Sequence, residues 1–183
     1  LGLPSGAVDM QASCIANSFY VMSAGLFAQN YKTVFNLYYT PLKLFNWRVR
    51  SDSNCPRCDQ PDADIVHMMA SCDKVRRFWE SIMVTMGEIT GQTIKYSPTL
   101  ILLGMDDLGN PVSPLLFIAL CVGRLVLASE WVSKDPPSYQ QWNNRFFACY
   151  LQEHSLYRSK GRKASVKGRK IWGMLETWLG GLI

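Results

Sequence analysis

One group of metal-ligand residue types constrains this chain more than any other feature. Three of its six cysteines and one of its two histidines lie in one short stretch with the spacing C-x2-C-x8-H-x4-C. The four residues are Cys55, Cys58, His67 and Cys72. Two thiolates three positions apart can bind one face of a metal ion if the backbone turns tightly between them, and Pro56 favours such a turn. The pattern therefore predicts a loop folded around one ion.

The ligand types indicate which ion to expect. A Cys3His set closes a tetrahedron around Zn2+ and leaves no position for water or substrate, which is typical of structural and recognition sites rather than catalytic ones. A thiolate-rich tetrahedron also favours zinc over harder cations. The alternative is that the three thiols and the imidazole pack together without a metal, because free cysteine behaves as a small hydrophobe.

The other three cysteines bear on the cellular compartment. Cys14, Cys121 and Cys149 are scattered in apolar surroundings, so they do not form the framework of an extracellular disulfide-rich protein. We expect them to be buried thiols. With no evident targeting peptide, the sequence predicts an intracellular protein that is cytoplasmic, nuclear or both. The chain starts at Leu1 rather than Met, and we expect it to be part of a longer polypeptide.

Two apolar stretches are long enough to be candidate membrane spans. The first, between Asp9 and Lys32, is uncharged but carries Gln, Asn and several Ser residues. The second runs from 114 to 132 and is broken by Arg124 and Glu130. Both are therefore interpreted as helices of a protein core, and no membrane partner is predicted.

The hydrophobic periodicity predicts a mainly α fold. Hydrophobic residues make up 48% of the 183 residues, which is enough for a folded core. Apolar residues recur at helical spacing, and three such faces are expected to share one core: Ile15/Phe19/Met22, Tyr31/Phe35/Tyr38 and Trp142/Phe146. The predicted helices are 8–29, 30–39, 40–47, 64–71, 73–86, 97–105 (with a short strand as the alternative), 113–133, 139–157 and a short one near 171–178.

The charge distribution divides the chain into two parts. Residues 1–157 are predicted to form a small helical domain with the inserted Cys3His zinc loop 54–73, and residues 158–183 a basic tail with a short terminal helix. Seven cations and no acid lie between residues 158 and 170 of the tail, and without them the formal net charge would be −2 rather than +5. They are Arg158, Lys160, Arg162, Lys163, Lys167, Arg169 and Lys170. Because Gly161 and Gly168 interrupt the basic segment, we expect it to be mobile.

A clustered basic segment is typical of a surface that binds phosphates. The seven cations are therefore the candidate nucleic-acid-binding residues, with RNA or single-stranded DNA as the partner. A solvated run of charge or a nuclear-import signal is the alternative. Trp47, Phe78 and Trp79 are candidates for base stacking near the zinc loop, although at least two of them are expected to pack behind it.

No catalytic constellation is expected. Asp106 and Asp107 form an acidic pair, but a turn sequence follows them, so we predict an exposed loop rather than a two-metal polymerase site. His154 follows Glu153 on a predicted helix and is expected to face solvent without a nucleophile beside it.

The residues flanking the zinc loop resemble a known family. Asn30-Tyr31-Lys32 is followed by Leu37-Tyr38-Tyr39-Thr40-Pro41-Leu42-Lys43-Leu44, by the cysteine pair, and by a block that runs from His67 through Cys72 to Phe78-Trp79. This order resembles the C-terminal region of LINE-type non-LTR retrotransposon polyproteins. The resemblance extends over almost the whole chain, through Leu102-Leu103-Gly104, Trp131, Pro136-Pro137, Trp142, Ile171-Trp172 and Trp178-Leu179. One departure is Pro56, where the family usually has Trp.

The resemblance implies both a function and a parent protein. It gives the zinc-ligand role to Cys55, Cys58, His67 and Cys72. The parent polyproteins carry an endonuclease and a reverse transcriptase, and their catalytic residues lie outside this chain. We therefore expect a non-catalytic module that binds RNA, together with the remainder of such a polyprotein as a partner. The alternative is a zinc-stapled structural or protein-interaction module, including a decayed retrotransposon fragment.

Overall fold

The computed structural model describes residues 13–15, 20, 21 and 23–181. Within them the chain is helical, which confirms the predicted mainly α fold, and one isolated bridge between Met105 and Pro111 is the β-structure present. The helices are α1 Ala24–Val34, α2 Pro41–Asn46, a short π-helix His67–Ser71, α3 Asp73–Thr90, α4 Pro98–Leu103, α5 Pro114–Ser129, α6 Tyr139–Ser159 and α7 Arg162–Gly180. No helix of these described residues is both long and apolar enough to cross a bilayer.

Helix starts follow from local sequence, as predicted. The Thr40 hydroxyl accepts a hydrogen bond from the backbone N–H of Lys43, and a proline follows at the first helical position. The same arrangement of a serine cap followed by proline begins α4 and α5. Ser138 forms a capping box with Gln141 at the start of α6. These caps lie at the predicted positions because a capping hydrogen bond joins residues within one helical turn and does not depend on distant parts of the chain.

Helix α5 lies at the centre of the domain. Almost every side chain from Leu115 to Leu127 is buried, and α1, α3, α4, α6 and α7 all pack against the helix. Two buried tryptophans join elements of the fold by hydrogen bonds as well as by packing. The indole N–H of Trp142 donates to the carbonyl oxygen of Ala119, and that of Trp79 donates to the carbonyl oxygen of Met69. A helix that is apolar all round is stable only in such a buried position.

The two predicted N-terminal helices are wrong in their boundaries. Val21 and Ser23 are not helical, and α1 runs through position 30, where a new helix was expected. Ten of the 22 residues of the predicted 8–29 helix lie outside the described residues. The hydrophobic periodicity misplaced α1 because of Arg124. This residue is a fully buried cation on α5, and its guanidinium donates to the side-chain oxygen of Asn30 at 2.6 Å. The buried face of α1 therefore carries polar residues, which a search for hydrophobic periodicity does not find.

The predicted shared core is only partly confirmed. Trp142 and Phe146 are buried and stack with ring centroids 5.0 Å apart. In contrast, Ile15, Tyr31 and Phe35 are exposed. Phe19 and Met22 lie outside the described residues. The aromatic stripe of α1 faces solvent because Gln29, Asn30 and Thr33, on the opposite side, are the residues that meet α5 and its surroundings.

The prediction of a short terminal helix near 171–178 is wrong. Helix α7 begins at Arg162, so most of the basic segment is helical, and the helix packs against α6, α3 and α5. Gly161 has φ +87° and makes the turn between α6 and α7. Gly168 is buried where α7 crosses α6, because a Cβ at this position would lie 2.7 Å from the Cβ of Tyr157. The two glycines permit a turn and a close crossing rather than flexibility.

Replacing Gly168 with alanine should therefore destabilise the protein although alanine is the better helix former. Overpacking against Tyr157 is expected to lower the free energy of unfolding by about 1 to 3 kcal/mol. Gly173 on the same helix is the matched control, since a Cβ there meets nothing within 4 Å, and Gly173→Ala should stabilise by up to about 1 kcal/mol. Urea denaturation measures both, and equal stabilisation by the two substitutions would contradict the described crossing.

Candidate metal centre

The first half of the metal loop is a tight turn closed by backbone hydrogen bonds. The turn residues 56–58 follow Cys55, whose N–H donates to the carbonyl oxygen of Gln60 at 2.8 Å, while the N–H of Asp59 donates back to Cys55 at 2.9 Å. Asp59 has φ +62°, a left-handed conformation that aspartate tolerates better than most residues. These bonds orient the first two cysteines toward the same side of the loop.

The second half presents its two ligands from a π-helical turn. The side chain of Asp64 accepts a hydrogen bond from the N–H of His67 at 2.8 Å and so begins the turn. The N–H of Cys72 then donates to the carbonyl oxygen of His67 at 3.0 Å, across five residues. This wider turn fits the x4 spacing between histidine and cysteine. Cys72 is also the residue that precedes α3, so its position is set by a long buried helix.

The four predicted ligands converge. One ligand atom from each of Cys55, Cys58, His67 and Cys72 lies within 4.8 Å of all the others. The sulfurs of Cys55 and Cys72 are 3.9 Å apart, and the Cys58 sulfur lies 3.2 Å from Nε2 of His67. With metal–ligand bonds of about 2.0 to 2.3 Å, ligand atoms of one tetrahedron are separated by roughly 3.3 to 3.8 Å. The site therefore has the ligand number, types and spacing to hold a metal ion.

The surroundings of the cluster favour neutral ligands until a metal binds. Burial raises the pKa of the Cys72 thiol to about 12, and the neighbouring cysteines add to the rise. Burial also lowers the pKa of His67, which favours the neutral imidazole that a metal requires. An ion must displace the thiol protons, so metal binding should strengthen as the pH rises.

Arg57 is a part of this site that the sequence did not identify. Its side chain is 6% exposed and turns inward, and its guanidinium donates to the carbonyl oxygens of Met68 at 3.2 Å and Glu130 at 2.8 Å. Burial lowers the pKa of Arg57, and the three cluster cysteines oppose that shift. Three thiolates and a divalent ion carry a net charge of −1, so this cation offsets the charge of a loaded site. In the sequence, the only indication that Arg57 belongs to the site is its position between the ligands Cys55 and Cys58.

The other candidate residues do not belong to the metal cluster. Phe78 and Trp79 are buried behind the loop, as expected, whereas Trp47 is 57% exposed. Asp106 and Asp107 are exposed, and the carboxylate of Asp106 accepts hydrogen bonds from its own turn. The pair therefore belongs to a loop, as predicted.

His154 differs from the expectation that it faces solvent. It is half-buried, and its Nε2 lies 3.2 Å from a carboxylate oxygen of Glu176 on α7. The hydroxyl of Tyr150 bonds the same oxygen at 3.3 Å. These contacts join α6 to α7, so the residue has a structural position in the helix pair.

The seven basic residues lie close together along the end of α6 and the first half of α7. All are exposed except Lys167, which is half-buried. No known protein-family model matches the chain, and no curated protein sequence matches it.

Proposed function

We propose that this chain is a non-catalytic nucleic-acid-binding module, held together by a structural zinc ion, that contacts RNA or single-stranded DNA through the basic residues of 158–170. The resemblance of its motifs to the C-terminal region of LINE-type reverse-transcriptase polyproteins supports this function. On that reading the polymerase and endonuclease belong to other parts of the parent protein, and the module holds RNA near them.

The cationic face of α7 is the observation that carries the proposal. At about 100° per residue, Arg162, Lys163, Lys167, Arg169 and Lys170 cover roughly 160° of the helix surface. The buried residues Gly168, Ile171, Trp172 and Leu175 lie on the opposite side. The helix therefore presents its charges in one direction, away from the core. An ordered row of cations binds a polyanion with less loss of conformational entropy than a mobile tail would.

Zinc is the metal that the ligand set favours. Three thiolates and an imidazole are soft ligands that suit a tetrahedral d10 ion, and a complete set of four protein ligands is typical of a structural site. The loop is connected to distant parts of the chain: the N–H of Leu42 on α2 donates to Ala63, and Arg57 bonds Glu130 beyond α5. These links are also what the alternative function, a zinc-stapled protein-interaction module, would need.

Salt dependence of binding tests the proposal. If about four to six cations contact phosphates of a single strand, the slope of log affinity against log salt should be about −3 to −4. The measurement is fluorescence anisotropy with a labelled 20-nucleotide RNA across about 50 to 300 mM KCl. Absence of binding at low salt by zinc-loaded, folded protein would refute nucleic-acid binding and favour the interaction module.

A further inference from the structure

A second surface carries exposed aromatic rings beside the metal loop. Tyr39 and Trp47 flank α2, and their side chains are 66% and 57% exposed. Their ring centroids are 5.9 Å apart with an interplanar angle of 70°. We call these two side chains the aromatic platform. Large aromatic residues in contact with each other and with solvent are typical of a binding surface.

The backbone beneath the platform is held by hydrogen bonds. The indole N–H of Trp131 donates to the carbonyl oxygen of Tyr39 at 3.0 Å, and the N–H of Trp47 donates to Lys43 at 3.0 Å. The ring of Tyr38 stacks on that of Trp131 at 4.8 Å. The two exposed rings are thus attached to a fixed frame, which reduces the entropy that a ligand loses on binding them.

The chain segment that carries the platform is cationic. Between Met10 and Ser51 the chain contains four cations and no acidic residue. The ammonium of Lys43 bonds the carbonyl oxygens of Asn36 and Tyr38, and Arg50 forms an ion pair with Asp52 at 3.0 Å. Arg48, directly after Trp47, is exposed and has no ion-pair partner among the described residues. An aromatic surface with a cation beside it complements a single strand, in which bases alternate with phosphates.

We propose that the aromatic platform is a base-stacking subsite for single-stranded nucleic acid, with Arg48 contacting an adjacent phosphate. The inference rests on the proposed function and adds to it a second contact surface of different chemistry. Every base has a π-face, so the subsite accepts bases with little sequence preference. The α7 face supplies the salt-dependent affinity, and the platform supplies affinity that depends on the presence of bases.

An abasic ligand separates the two contributions. An oligodeoxynucleotide with abasic sites in place of its central nucleotides keeps the phosphates and loses the stacking partners. Wild-type, zinc-loaded protein should bind it at least about tenfold more weakly than the intact strand, with an unchanged salt slope. The variant Trp47→Ala should weaken binding of the intact strand by about tenfold and should leave binding of the abasic strand unchanged.

Leu151→Ala is the control, because Leu151 is 66% exposed on α6 and lies outside the platform. Its affinities for both strands should match those of wild type. Fluorescence gives a second readout. Trp79, Trp142 and Trp172 are fully buried and Trp131 and Trp178 are half-buried, so a stacking base should quench Trp47, the most exposed of the six, preferentially. The variant Trp47→Ala should lose most of the quenching.

The outcomes distinguish this inference from the proposed function. Equal binding of intact and abasic strands by wild type, with the salt slope intact, would overturn the subsite and leave the nucleic-acid-binding function in place. A wild-type protein that binds neither strand would overturn both proposals.

Discussion

Removing the metal should lower the thermal midpoint of the wild-type chain by about 8 to 16 °C. Loss of a structural metal is among the few changes that destabilise a protein by about 4 kcal/mol or more. For a chain of this size each kcal/mol corresponds to roughly 2 to 4 °C. The effect should be large because the cluster joins two parts of the loop, and Cys55 and Cys72 are buried in the core. The measurement is differential scanning fluorimetry of zinc-loaded protein with and without a strong chelator, together with elemental analysis for one zinc per chain.

The substitution Cys58→Ser should reproduce the effect of the chelator. Cys58 is only half-buried, so the loss of its sulfur disturbs packing less than the same change at the buried Cys55 or Cys72. The variant should have a low thermal midpoint that the chelator hardly changes. Cys149→Ala is the matched control: it removes a buried thiol outside the cluster and should retain the full response to chelator. Wild-type protein that takes up no zinc when the metal is added, and whose midpoint neither zinc nor chelator changes, would contradict a metal site.

Replacing Lys160, Arg162, Lys163 and Lys167 with alanine should reduce affinity for single-stranded RNA by roughly 10² to 10³-fold near 0.1 M salt. Each phosphate contact on a single strand contributes about 0.7 to the salt slope, so four contacts account for most of a slope of −3 to −4. The loss should be similar for all sequences, because phosphate contacts do not read bases. Alanine favours helix, so α7 should remain folded, as circular dichroism can verify.

A second quadruple variant controls for the change in net charge. Lys74, Arg77, Lys95 and Lys134 are exposed cations outside 158–170, and their replacement by alanine removes the same formal charge. If the position of the charges on α7 is what matters, this variant should retain most of its affinity and salt slope. Equal losses in the two variants would show that affinity depends on net charge alone. Full affinity of the α7 variant would move phosphate binding elsewhere on the molecule.

The metal ligands and the capped starts of α2, α4, α5 and α6 could be predicted from the sequence alone. Both depend on residues that are close along the chain: two cysteines across one turn, a histidine and a cysteine across the next, and a Thr or Ser before a proline. Local geometry then leaves few arrangements, and tertiary packing does not alter them. The Cys55, Cys58, His67 and Cys72 cluster is assembled in the structure as its spacing predicts.

Tertiary packing decided the features that need a partner distant in sequence. Arg57 turns inward because carbonyl oxygens of Met68 and Glu130 lie within reach of its guanidinium. Asn30 is buried because Arg124, 94 positions away, requires an acceptor. Position 168 in the middle of α7 is a glycine because Tyr157 leaves no room for a Cβ where α7 crosses α6. In each case the physical cause is a buried polar group or a close contact between elements. Periodicity within one segment does not contain that information, so the cationic face of α7 and the exposed rings beside α2 emerge only when the helices pack.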